Sequence, residues 1–148
     1  MTSRTDNLTT DFQCGGKWNS WVIPPGGSKK DDKKFKLKVD KDTGKLTGKH
    51  GDDPDHDGKE INSGTCSDDA ATKKHRMRIQ REDDDYIYDY DGLITPDLTT
   101  GNFNILEGDG KRKVTPKSKL LEQEYRDDKT KDKDKFTEPD EWIAEKTT

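Results

Sequence analysis

The sequence predicts an all-β protein, an eight-stranded antiparallel up-and-down barrel with one short helix in a long insertion before the last strand. Three observations carry this. Eight short stretches alternate apolar and polar residues, the period-2 signature of half-buried strands. Gly, Asp and Pro punctuate them at short intervals, as turns require. Formal net charge is only -4, because 28 Lys and Arg nearly balance 32 Asp and Glu, so a compact state suffers little self-repulsion.

The first strand opens with Gly16-Lys17-Trp18. Trp18, Ser20 and Val22 share one face, Asn19, Trp21 and Ile23 the other, and Pro24-Pro25-Gly26-Gly27 ends the strand. Phe35-Lys36-Leu37-Lys38-Val39 is the clearest strand, with apolar odd positions and Lys at even ones. Turn residues Asp40 to Gly44 follow and Leu46-Thr47-Gly48-Lys49-His50 returns, so residues 34 to 50 form a β-hairpin. Further strands are expected over Lys59 to Cys66, over Lys74 to Arg81 with Met77 and Ile79 inward, and over Tyr86 to Ile94. Asn102 to Glu107 and Glu141 to Lys146, with Trp142 and Ala144 on one face, complete the eight. A meander of this kind closes into a barrel and removes exposed edges.

Residues 111–139 break the rhythm and read as an insertion. Ser118 is placed to cap a short helix carrying Leu120, Leu121 and Tyr125, a candidate plug for the barrel. Arg126 to Lys135 is a nearly pure run of Asp and Lys, expected as a solvated loop. Residues 1–13 are expected to be a flexible N-terminus.

A chain of 148 residues suits one domain, 1–148. Leu, Ile, Val and Phe number 22, below the roughly 20% share under which disorder becomes a reading, but the low net charge fails the second condition for disorder, so a thin core is expected. With 41% charged residues of both signs interspersed, the surface should be very soluble. No apolar run approaches the roughly 20 residues that span a bilayer, and residues 1 to 15 lack the apolar stretch of a signal peptide. The expectation is a cytoplasmic protein, although a secreted chain whose signal had been removed would read identically. Cys14 and Cys66 are expected as free thiols in that setting, a disulfide between them being the alternative.

Gly16-Lys17-Trp18, the Leu46-Thr47-Gly48 return and Trp142 in the last strand together resemble the calycin superfamily, nearest to avidin-like and lipocalin-like proteins. The resemblance covers the barrel and not the insertion. It implies an eight-stranded barrel with a ligand cavity at one mouth, and homo-oligomerisation through the barrel wall. The chain also departs from the avidin-like pattern. Residues 22 to 141 contain no tryptophan, His50 stands where that pattern has a tyrosine, and Asn19 follows Trp18 directly. These departures argue against biotin.

Candidate chemistry is sparse. Asp53-Pro54-Asp55-His56-Asp57-Gly58 matches the first half of a calcium loop, with Asp53, Asp55 and Asp57 as the ligands. The bidentate Glu expected at the twelfth position is Gly64, and an acidic hairpin turn explains the same residues. Tyr86, Tyr88 and Tyr90 line one strand face, either as core or as a cavity wall with hydroxyl handles. Lys73, Lys74, His75, Arg76, Arg78 and Arg81, with Lys111-Arg112-Lys113 later, form a basic set, but Glu82 to Asp85 adjoin it and the isoelectric point is near 5.4, which argues against nucleic acid. His50, His56 and His75 are dispersed, and no nucleophile-base arrangement has recognisable context, so no enzyme is expected. The leading expectation is a barrel that binds a small ligand with Trp18, Ser20, His50, Tyr88 and Trp142. The other is a protein-interaction or inhibitor module that uses its outer face or the Arg126 to Lys135 loop.

Overall fold

The computed structural model describes residues 13–127 and 139–147. The described residues are mostly strand: β1 (Gly16–Ile23), β2 (Lys30–Asp31), β3 (Lys34–Val39), β4 (Leu46–Gly51), β5 (Lys59–Glu60), β6 (Ser63–Asp69), β7 (Lys74–Glu82), β8 (Tyr86–Pro96), β9 (Phe103–Ile105), β10 (Gly110–Pro116) and β11 (Asp140–Lys146), with the short helix α1 (Lys119–Asp127) between β10 and β11. These eleven strands form one antiparallel sheet in the order β5-β4-β3-β1-β11-β10-β8-β7-β6, with β2 on β1 and β9 between β11 and β8. Each long strand thus lies beside its sequence neighbours, and β11 returns to β1. At the far end of the order, Lys45 bridges Thr65, and the Cys66 N–H donates to the Gly44 carbonyl at 2.7 Å, so β6 meets the start of β4.

The expected hairpin over residues 34 to 50 forms, with Phe35 opposite His50 and Leu37 opposite Gly48. Gly48 has a φ of +151° and lies so close to β3 that a Cβ there would collide with the Lys36 carbonyl. Only glycine meets both demands.

Eight strands are expected, and the described residues form eleven. Lys59 to Cys66 is two strands, because Ile61 and Asn62 separate β5 from β6. Asn102 to Glu107 shortens to the three residues of β9. The larger correction is β10, whose residues had been assigned to the insertion. Its inward positions are Gly110, Arg112 and Val114, so a charged side chain sits where alternation demands an apolar one, and the strand signal disappears.

The core gathers Trp18, Phe35, Tyr90 and Trp142 with aliphatic residues from β3, β4, β7 and β8. Phe35 meets Tyr90 edge-on at 5.3 Å between centroids, and Tyr90 meets Trp142 at 4.9 Å. Gly92 leaves the space that Trp142 and Ile105 occupy. These rings fill the interior, and α1 does not plug it. Ser118 does cap that helix, accepting from the Leu121 N–H at 3.1 Å, but Leu120 is 73% exposed. After the last two residues of α1, the Arg126 to Lys135 run lies outside the described residues, as do residues 1–12.

The free-thiol expectation is also corrected. Cys14 and Cys66 are buried and joined in a disulfide across 52 residues of sequence. The return of β6 to Gly44 and Lys45 is what carries Cys66 towards the entrance of β1. The same entrance is held by Trp18, whose indole N–H donates to the Cys14 carbonyl at 3.0 Å. Among the described residues no helix is long and apolar enough to cross a membrane.

Candidate binding cleft

A charged network lies at one end of the packed interior. Ser20 of β1 donates to the Lys33 carbonyl at 2.6 Å, and the Asp32 N–H donates to the Ser20 carbonyl at 3.0 Å. These bonds hold the segment between β2 and β3 so that the Asp32 carboxylate, 5% exposed, turns inward. It accepts from the Tyr90 hydroxyl at 2.8 Å, from Arg112 at 3.1 Å and from Arg81 at 3.5 Å. Arg81 also donates its Nε–H to the Tyr90 hydroxyl at 2.8 Å. Arg112 donates to Asp140 of β11 through both Nε, at 3.0 Å, and Nη2.

Two arginines thus face two aspartates, and the set is electrically neutral. Neutrality is what permits such groups to be buried, since an unpaired ion there costs several kcal/mol. Burial pulls the pKa of Arg112 down, but Asp32, Tyr90 and Asp140 outweigh it and leave it raised. Tyr90 is raised as well, by burial first and by Asp32 next. Tyr88 is pushed up to about 12 by burial and by its hydrogen bond to Asp83 at 2.8 Å. The Arg81 guanidinium stacks 3.7 Å above the Tyr88 ring.

Above this network opens a cleft of about 340 Å³, walled by Lys33, His50, Gly51, Asp52, Asp53, Asp57, Lys59, Arg81, Glu82 and Asp83. His50 is only 6% exposed, and its Nδ1 is buried without a hydrogen-bond partner. Burial, then Arg81, Lys33 and Lys59, lower its pKa to about 4 against the opposing pull of Asp32. The imidazole is therefore neutral at pH 7, and its Nδ1 is an unused polar group beside a buried arginine.

The five expected ligand residues do not share one cavity. His50 lines the cleft, and Tyr88 supports it from beneath through Arg81. Trp18 borders a separate groove with Lys17, Asn19 and Phe35, and Ser20 borders another with Trp21, Asp31 and Asp32. Trp142 is wholly buried in the core. Of the three tyrosines, Tyr90 is buried among the core rings, and Tyr86 and Tyr88 are half-buried.

The acidic segment is committed elsewhere. Asp55 reaches Lys17 and Lys36 at 2.8 Å each, and these hydrogen bonds hold its carboxyl down at about 2. Asp53 pairs with His56 at 2.8 Å. Among the described residues no group of three or more His, Cys, Asp or Glu side chains is arranged to hold a metal ion. In the basic row, Arg76 and Arg78 both pair with Asp91, at 2.7 and 3.4 Å.

Sequence reasoning missed Arg81 and Arg112 as interior residues, although a signal was present. Arg81 shares strand parity with the buried Met77 and Ile79, and Arg112 with the buried Val114. Comparison of the chain with protein-family models, with curated proteins and with solved structures finds no match.

Proposed function

We propose that this protein binds a small polar ligand in the cleft above the Asp32–Arg81–Arg112–Asp140 network, and that it is a binding protein rather than an enzyme. The observation that carries this reading is the unpartnered Nδ1 of buried His50 in a cleft that it shares with Arg81. Buried polar atoms nearly always find a partner, so an orphan at the wall of a cleft points to one that arrives with a ligand. The cleft is also within the size range of small-molecule sites.

In this reading the sheet is a closed calycin-like barrel and the cleft is its mouth. Closure is supported by the Lys45–Thr65 bridge, which joins β6 to the start of β4 near the other end of the strand order. The disulfide favours an oxidising compartment over the cytoplasm.

The test is native mass spectrometry of the gently purified protein, followed by NMR with whatever small molecule is retained. The expected result is an adduct whose binding shifts the His50 and Arg81 side-chain resonances. Shifts confined to the outer strands, induced by a protein partner and absent from His50, would overturn the cleft and favour an interaction module.

A further inference from the structure

Resting on the cleft as the ligand site, we infer that the group it takes is a compact oxyanion, a carboxylate, sulfate or phosphate. Arg81, Lys33 and Lys59 hold it, and His50 takes up a proton as it binds.

The two arginines of the network are not equally neutralised. Arg112 has Asp140 to itself and reaches Asp32 at 3.1 Å. Arg81 reaches a carboxylate only at 3.5 Å, and that carboxylate already serves Arg112 and Tyr90. Beyond its bonds to Asp32 and Tyr90, Arg81 makes no further hydrogen bond among the described residues. The Tyr88 ring covers one face of the guanidinium, and its Nε and Nη2 donate to Tyr90 and Asp32, so Nη1 is the nitrogen left to meet an oxyanion.

The acidic residues of the cleft do not supply that anion. Asp53 is engaged by His56, and Glu82 by Asn62 and Lys117. Asp83 accepts from the Tyr88 hydroxyl and from the N–H groups of Asp85 and Tyr86. Asp52 meets Lys33 at 3.4 Å, but its side chain is 91% exposed, where such a pair is weak. Asp57 completes the acidic rim. Arg81 is the buried base of the cleft, and Lys33 and Lys59 stand at its more exposed wall beside the carboxylates.

Among the described residues, the charged groups around His50 and its cleft are Asp32 and Lys33 before β3, Asp52, Asp53 and Asp57 after β4, Lys59 on β5, and Arg81, Glu82 and Asp83 around the end of β7. Arg81, Lys33 and Lys59 together disfavour the imidazolium. An anion seated among them reverses that field, so binding and protonation favour one another by linkage.

The experiment is an NMR titration of the His50 ring nitrogens in sodium sulfate and, at equal ionic strength, in sodium chloride. Sulfate is the probe because it keeps its charge across the range studied. The expected result is a His50 pKa about two units higher in sulfate, with sulfate binding about tenfold tighter at pH 5 than at pH 7. His50→Asn should bind sulfate without that pH dependence, and Lys59→Ala, on the surface, should weaken binding roughly threefold. Identical His50 titrations in the two salts would overturn the inference, and this wild-type measurement stands even where a variant fails to fold. The two readings fail separately. A retained neutral or cationic molecule that shifts His50 while sulfate does not would leave the cleft as the site and sink the oxyanion. A cleft that no molecule perturbs would sink both.

Discussion

The hydroxyl of Tyr90 donates to the Asp32 carboxylate at 2.8 Å, although 58 residues separate them in sequence. The same hydroxyl accepts from Arg81 at 2.8 Å. Tyr90 therefore links the floor of the cleft to the aromatic core, since its ring packs against Phe35 and Trp142. Because its pKa is raised, by burial above all, the phenol keeps its proton and remains a donor. The position of Asp32 then sets the position of both arginines.

Removing the two ends of this bond should have unequal effects. Tyr90→Phe leaves the ring packing intact but strands the Arg81 Nε–H, and should cost about 1–3 kcal/mol. Asp32→Ala leaves Arg81 without its carboxylate and Arg112 with one instead of two, and should cost about 3–5 kcal/mol. Urea denaturation of both single variants and the double variant measures this, and the double should lose less than the sum because the residues share one network. An Asp32→Ala loss smaller than that of Tyr90→Phe would show that Asp32 is not the organising group.

The Cys14–Cys66 disulfide should contribute about 4 kcal/mol, from the loop entropy of a 52-residue closure. Both residues are buried, so thiol reagents should find nothing to modify until reductant and denaturant are present together. The Cys14→Ser/Cys66→Ser variant should unfold at a clearly lower urea midpoint. An unchanged midpoint would mean that the return of β6 to Gly44 holds without the covalent link.

How much of this was legible in the sequence depends on what each element answers to. The hairpin from Lys34 to Gly51 is locally encoded. Phe35 and Leu37 alternate with lysines, and the Asp40 carboxylate accepts from the N–H groups of Asp42 and Thr43 to shape the turn. β10 is not locally encoded, because Arg112 is neutralised by residues 80 and 28 positions away. The acidic segment illustrates the same limit. Its Asp spacing suits a turn more readily than a cation, and the partners of Asp55, Lys17 and Lys36 on β1 and β3, lie far from it in sequence. His50 was legible as a candidate from its place after Leu46-Thr47-Gly48. Its neighbours in the cleft come from four other parts of the chain.

Gly48 and Gly26 form a matched pair of substitutions. Both have positive φ, +151° and +71°, but a Cβ at Gly26 meets nothing within 4 Å, while one at Gly48 runs into the Lys36 carbonyl. Gly26→Ala should therefore cost only the backbone strain, about 1 kcal/mol. Gly48→Ala adds a collision between paired strands and should cost about 3 kcal/mol or more. Thermal unfolding of the two variants checks the order. Equal losses would mean that β3 and β4 separate more readily than their pairing implies.

The pH dependence of stability isolates His50. Its pKa falls from 6.5 in the unfolded chain to about 4 in the folded one, chiefly through burial. Between these values the unfolded chain holds a proton that the folded chain lacks, so acid favours unfolding. The contribution of neutral His50 is thus complete above pH 6.5 and is lost progressively as the pH falls to about 4, some 3 kcal/mol at most. The carboxylates held below their ordinary range do not obscure this window. Asp55, Asp69, Glu82 and Asp83 are all lowered from ordinary values of 3.8 to 4.5, so their stabilising effect is retained above that range and lost only below it. Urea midpoints measured from pH 7 to pH 4.5 in chloride should therefore fall for the wild type and stay nearly level for His50→Asn. A slope that survives the substitution would place the titrating group elsewhere and remove His50 as the neutral wall of the cleft.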